Sequence, residues 1–283
     1  MSRVYEALRQ LKKEQGHPGS SPFLTPAAPL GNSAVGSTEF DAVTSVEVKV
    51  TPSSRLVALS EPQSLGAEKF RALATRLENL RHQKELKSLQ ITSGAVNEGK
   101  TLVVANLAVT FAKHSRSKVL MLEGDLHRPS LAGLLGLNDL RGISHWWSEQ
   151  ASDIAHFLCR LDDMPLWFLG AGAAHEQPSH ILQSTRFAEA FNRLAGWFDW
   201  IVVDSTPMLP VADANLWSRL IDGTLLVVRE GVASVKALQK GFQSLDNLKL
   251  VGTVLNEASE SEGKGYADQY YGVRRDSNRT AKQ

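Results

Sequence analysis

The sequence predicts an α/β protein with a doubly wound, mainly parallel sheet and helices on both faces. Two observations lead there. Short β-branched runs alternate with longer helical patterns across residues 55–258. The runs are near-continuously apolar, as strands covered on both faces must be, and lack the in–out alternation of a half-solvated sheet. A chain of 283 residues has room for one such domain plus tails.

Taken in order, residues 1–15 carry Val4, Leu8 and Leu11 at helical spacing among basic residues, which predicts a short amphipathic helix. Residues 16–54 are rich in Gly, Pro, Ser, Thr and Ala without periodicity and read as a flexible linker. The domain over 55–258 then offers strands at 88–93, 118–123, 165–168, 200–204, 224–229 and 250–255. Helices are expected over 66–82, 99–114, 129–135, 179–196, 211–220 and 233–246. The last stretch, 259–283, is polar and reads as a mobile tail.

Composition narrows the function classes. At 42% hydrophobic and 22% charged, the chain is ordinary for a soluble globular protein. A net charge of +1 gives no general attraction to nucleic acid or to an anionic membrane. Apolar runs such as "WIVV" and "LLVV" fall far short of the ~20 residues of a bilayer span, and the N-terminus lacks a signal peptide's apolar core. A cytoplasmic chain is expected, reaching a membrane only through a partner. The lone Cys159 fits a reducing compartment. Its surroundings, "HFLCRL", read as an amphipathic helix with the thiol packed inside. No H-E-x-x-H, paired C-x-x-C or G-x-S-x-G is present, so zinc and serine-hydrolase chemistries have no motif. Adjacent Trp146 and Trp147 could stack on sugar, but the tryptophans as a set fit core or interface packing better.

The most specific stretch is "ITSGAVNEGKT", residues 91–101. Gly94, four residues, then Gly99-Lys100-Thr101 is the spacing of a phosphate-binding loop, set between an expected strand and an expected helix. There the backbone N–H groups converge on phosphate oxygens at a helix N-terminus. Lys100 adds a positive charge, and the Thr101 hydroxyl can ligate Mg²⁺. Gly99 allows close approach, and Asn97 tolerates a left-handed conformation. Gly94, Asn97, Glu98, Gly99, Lys100, Thr101 and Leu102 thus form the candidate nucleotide-binding run, with ATP and Mg²⁺ as the implied cofactors. Two apolar strands end in acids: Asp204 after "WIVV", and Glu123 with Asp125 after "VLML". Mg²⁺ takes carboxylate oxygens, so Asp125 and Asp204 join Thr101 as candidate metal ligands. Asn256, closing "LVGTVLN", either hydrogen-bonds an adenine edge or forms a turn.

With "GAEKFRALATRL", "ITSGAVNEGKTLVVANLAV", "VLMLEGDLHRPSL", "FDWIVVDSTPMLPVADA", "DGTLLVVREG" and "VLN" in this order, the chain resembles the bacterial tyrosine kinases of capsule and exopolysaccharide assembly in their soluble form, relatives of the phosphate-loop positioning ATPases. The resemblance covers about residues 55–272. It implies an ATP-dependent autokinase, with catalytic positions at Lys100, Glu123, Asp125 and Asp204. It also implies a membrane-embedded polysaccharide co-polymerase as activating partner, ring assembly of like subunits, and phosphorylation of a tyrosine-rich tail. Tyr266, Tyr270 and Tyr271 in "GYADQYYGVRR" are the candidate acceptors. The chain departs from the pattern at Glu123, where the family has Asp, and at His127, where it has Arg. It departs again at Ala74, where the family's subunit-contact helix has a second Arg after Glu68 and Arg71. His127 is expected at the surface. Two other readings are a catalytically weak nucleotide-binding scaffold of the same fold and a septum-site or partition type ATPase. Against the last, Ala95 and Val96 stand where those ATPases carry an extra lysine.

Overall fold

The computed structural model describes residues 43–49, 54–137, 139–174, 177–208, 213–230 and 249–257. The expected helix over 1–15, the helix over 233–246 and the tyrosine-bearing stretch lie outside the described residues. So does all of the expected linker except 43–49 and Ser54.

Elements in chain order are β1 (Ser45–Val46), α1 (Val57–Ser60), α2 (Leu65–Gln83), β2 (Ser88–Ser93), α3 (Lys100–His114), β3 (Val119–Glu123), α4 (Leu131–Leu134) and α5 (Ile143–Ser148). A 3₁₀ turn (Ile154–Phe157) leads into β4 (Leu158–Leu161) and β5 (Leu166–Leu169). Then come α6 (Pro178–Leu182), α7 (Thr185–Trp197), β6 (Trp200–Asp204), α8 (Asp213–Leu220), β7 (Gly223–Arg229) and β8 (Leu250–Asn256).

The strands form one eight-stranded sheet in the order β1-β4-β5-β3-β6-β2-β7-β8. Every pairing is parallel except β4 with β5. The expected doubly wound architecture is therefore present, with one antiparallel step. Alternate residues of each central strand sort to opposite faces. Val119, Met121, Trp200, Val202, Leu89 and Ile91 pack under α3 in one apolar cluster. Leu120, Leu122, Ile201 and Val203 join Phe187, Phe191 and Trp217 in another. Every residue of β2, β3, β5 and β6 is buried, which explains the apolar runs of β3, β5 and β6; β2 buries Ser88, Gln90, Thr92 and Ser93 as well.

Three expectations need correction. Cys159 lies on β4, not on a helix; its segment buries a short strand that pairs antiparallel with β5. Burial pushes the thiol up to about 11, so it is an inert packing residue. The expected helix over 179–196 is two helices. Ser184 sits between them in extended conformation and its hydroxyl accepts from the Phe187 N–H at 3.1 Å, starting α7 afresh. Within the expected linker, Ser45 and Val46 pair with Arg160 and Leu161 and so form an edge of the sheet. The tryptophan reading holds: Trp146, Trp200 and Trp217 are fully buried, and Trp200 stacks on Phe111 with centroids 4.4 Å apart. Among the described residues no helix is long and apolar enough to cross a membrane.

The Phe111–Trp200 stack ties α3 to β6. Phe111→Ala should cost about 3–5 kcal/mol of stability; urea unfolding followed by tryptophan emission measures it.

Candidate nucleotide-binding site

Parallel register brings the chemistry-bearing residues together. Asp204 pairs with Ile91 on β2 and with Glu123 on β3, so the carboxyl ends of three neighbouring strands open at one place. That is where ligands bind in open α/β sheets. The loop after β2 runs directly into α3, with Asn97 at φ 63° and Gly99 at φ 88°. Both lie in the left-handed region, where Asn and Gly are the tolerant residues. A Cβ at position 99 would also collide with the Asn256 side-chain amide.

Glu98 and Asn256 hold this loop from behind. Glu98 is fully buried; its carboxylate accepts from the Ala95 N–H at 2.8 Å and the Arg229 N–H at 3.3 Å. Asn256 donates from Nδ2 to the Glu98 carbonyl at 2.9 Å. The side chain of Glu98, expected in the binding run, thus faces inward and shapes the loop. Asn256, for which an adenine edge or a turn was expected, donates one amide hydrogen to the loop's backbone.

In front of the loop is a cleft of about 920 Å³, lined by Asn97, Gly99, Lys100, Thr101 and Leu102. Asp125, His127, Arg128, Ser130, Thr206 and Pro207 line it too. Lys100 Nζ stands between two acids, 3.4 Å from Asp125 Oδ2 and 3.3 Å from Asp204 Oδ1. Asp125 is further fixed by the Arg128 N–H on its other oxygen, at 3.0 Å. Asp204 is fully buried, and its Oδ2 has no hydrogen-bond partner. Burial pushes the Asp204 carboxyl up to about 6, against the pull of the Lys100 charge and the Thr101 hydroxyl; the Asp125 charge adds to the rise. An all-oxygen set of Thr101, Asp125 and an underused Asp204 fits a hard divalent cation, completed by phosphate and water.

Glu123 is placed elsewhere. Its Oε1 accepts from the N–H groups of Leu131 (2.6 Å) and Ala132 (3.1 Å), and its Oε2 from Ala171 (3.0 Å). The carboxylate joins β3, α4 and the loop after β5, and lines a second cavity of about 730 Å³. It is absent from the lining of the nucleotide cleft. The extra methylene relative to Asp gives the reach for these three amides. His127, expected as a plain surface residue, is 39% exposed but lines the cleft, with Nε2 3.1 Å from Oδ2 of buried Asp213. Burial raises the Asp213 carboxyl, the His127 charge lowers it, and the Asp125 charge raises it further. Asp213 was missed in the sequence, although an acid after the apolar "MLPVA" is the kind of signal that marks a burial needing a partner. Gly124, between the two acids, lies against Trp217, whose indole N–H donates to the Gly124 carbonyl at 3.0 Å. Ala74 is fully buried in α2, so this position offers no side chain to a neighbour, while Glu68 and Arg71 pair with each other.

Fold and cleft together define a phosphate-loop nucleotide-binding α/β protein. A scan against models of protein families finds no match. Among curated proteins, the tyrosine-protein kinase CpsD of Streptococcus pneumoniae is 31% identical over 208 residues, covering 72% of this chain and 90% of CpsD. The tyrosine-protein kinase YwqD of Bacillus subtilis (strain 168) is 29% identical over 221 residues, covering 77% and 92%. The chain belongs to the bacterial tyrosine-protein kinase family, and its enzyme class is that of the protein-tyrosine kinases. The succinoglycan biosynthesis transport protein ExoP of Rhizobium meliloti is 28% identical over 219 residues, and the chain spans 28% of its length. Among solved structures, the chimerical protein CapA2B2 superposes with TM-score 0.67 at 26% identity, covering 74% of this chain and 91% of that one. The septum site-determining protein MinD of Pyrococcus horikoshii OT3, complexed with Mg-ADP, shares the fold at TM-score 0.52 and 23% identity, over 62% of this chain and 72% of its own.

The raised Asp204 carboxyl has a consequence for stability without nucleotide. Its contribution is greatest below about pH 4, where native and unfolded chains both carry the proton. It is lost as pH rises toward about 6, because the buried group must then ionise while the unfolded one already has. Asp204→Asn removes that loss. The variant should match the wild type near pH 4 and exceed it at pH 8 by about 3 kcal/mol, as read by urea unfolding at the two pH values.

Proposed function

We propose that this chain transfers the γ-phosphoryl group of ATP to protein tyrosine, in the service of polysaccharide assembly. The single observation that carries this is Lys100, held between Asp125 and Asp204 at the mouth of a braced phosphate loop. Lys100 swings from the acids onto the β- and γ-phosphates as these enter, and the loop N–H groups receive the remaining oxygens. Thr101, Asp125 and Asp204 would hold Mg²⁺, directly or through water, and the ion would supply charge neutralisation for the phosphates. Asp204 enters this arrangement with an oxygen in need of a partner. Acceptors are Tyr266, Tyr270 and Tyr271, close to the chain end in sequence. The likeness to ExoP, a succinoglycan biosynthesis transport protein, supports a role in polysaccharide assembly; on this reading the chain acts from the cytoplasmic side, beside a membrane-embedded co-polymerase that governs chain length. Assembly with like subunits has Glu68 and Arg71 in its favour and lacks the third residue at Ala74.

A second reading is favoured by Glu123, whose carboxylate is taken up by three backbone amides. On it the chain is a catalytically weak nucleotide-binding scaffold of the same assembly.

Intact mass after incubation with Mg-ATP separates the two. Phosphate should add in steps to Tyr266, Tyr270 or Tyr271, mapped by peptide, and Lys100→Met should remove it while keeping the fold. ATP binding without added phosphate, with the cytoplasmic segment of a co-polymerase present, would select the scaffold. Glu123→Asp should raise the transfer rate severalfold by returning a carboxylate toward the cleft, at a stability cost of about 1–3 kcal/mol for the released amides. A lower stability with an unchanged rate would mark Glu123 as structural only.

A further inference from the structure

Buried hydroxyls at the top of the sheet are nearly all committed to the protein. Thr92 Oγ1 donates to the Thr206 carbonyl at 2.8 Å, and Ser93 Oγ to the Ala95 carbonyl at 2.6 Å. Ser205 Oγ donates to the Ile91 carbonyl at 3.2 Å and accepts from Gln90 Nε2 at 2.9 Å. Thr206 is different. The residue is 1% exposed, it lines the nucleotide cleft, and its Oγ1 has no hydrogen-bond partner. A buried hydroxyl left unpaired is costly, and native structures rarely keep one without a ligand or water in view.

The backbone around it is firmly placed. The Thr206 carbonyl accepts from Thr92 Oγ1, and the Met208 N–H donates to the Ser93 carbonyl at 2.8 Å. The unpaired hydroxyl is therefore not the product of a loose turn. Two residues earlier, Asp204 Oδ2 is buried and unpaired as well. Thr206 follows β6 and lines the same cleft as Gly99, Lys100 and Thr101 of the phosphate loop. One χ1 rotation re-aims a threonine hydroxyl between staggered positions.

From this geometry we infer that Thr206 Oγ1 donates a hydrogen bond to a γ-phosphoryl oxygen of bound ATP, and so discriminates ATP from ADP. The inference rests on the proposed reading of the cleft as an ATP site, and it requires no tyrosine transfer. The hydroxyl keeps its proton throughout and forms no covalent bond. It fixes the group being transferred and strengthens as charge spreads over the equatorial oxygens.

The test uses Thr206→Val, which keeps the shape and removes the hydroxyl, beside Thr206→Ser, which keeps the hydroxyl. Affinities for a non-hydrolysable ATP analogue and for ADP, both with Mg²⁺, are measured on the full chain by calorimetry, with thermal midpoints as a folding control. Thr206→Val should lose tenfold or more in the ratio of ATP-analogue to ADP affinity, with ADP binding intact, and Thr206→Ser should retain the wild-type ratio. An equal ratio in wild type and Thr206→Val overturns the inference. So does a parallel loss of both affinities that Thr206→Ser fails to rescue, which would make Thr206 structural. A wild type that binds nucleotide but phosphorylates no tyrosine sinks the kinase reading alone, while the affinity ratio still decides Thr206. A wild type that binds neither nucleotide sinks both.

Discussion

Lys100 between Asp125 and Asp204 is the interaction on which the site depends. A fully buried carboxylate at the end of a central strand is costly to desolvate, and here one ammonium is the main compensation. The compensation is partial, because Asp204 keeps one oxygen unpaired. Partial satisfaction is what a binding site needs. Were the acids fully paired within the protein, a cation and phosphates would have to break those contacts before binding. The lysine is also the first residue of α3, so the charge that stabilises the empty site sits at the helix N-terminus that receives the phosphates.

A second tier holds the loop in shape. Glu98 reaches back to β7 through the Arg229 N–H, and Asn256 reaches forward from β8 to the Glu98 carbonyl. Arg229 and Glu257, at the ends of the same two strands, are themselves an ion pair. The loop conformation is therefore set by residues more than 130 positions away in sequence. That accounts for two non-glycine features the loop carries without strain elsewhere: Asn97 in the left-handed region and a fully buried Glu98.

Much of this was legible in the sequence. Strands β3 and β6 fall where the apolar runs place them, because strands buried on both faces leave an unmistakable pattern. The phosphate loop was legible because its spacing is fixed by backbone geometry. Other features were hidden for definable reasons. The segment holding Cys159 has too few residues for period two and period 3.6 to be told apart, and the pairing with β5 decided it. Ser184 interrupts a helical pattern by capping, which periodicity does not register. Glu123 had the right position and the wrong destination: sequence fixes a strand end, and only the tertiary structure brings the amides of Leu131, Ala132 and Ala171 within its reach. Asp213 and Thr206 likewise acquire meaning from what surrounds them.

The contact between Trp217 and Gly124 makes the protein its own optical probe. The indole N–H is bonded to the carbonyl of the residue that separates Glu123 from Asp125, and the ring fills the space a side chain there would occupy. Displacement of the main chain between the two acids must change the field along the indole. Six tryptophans emit together, so the share of Trp217, read as the difference between wild type and Trp217→Phe, would follow rearrangement at the mouth of the sheet in real time with no label attached.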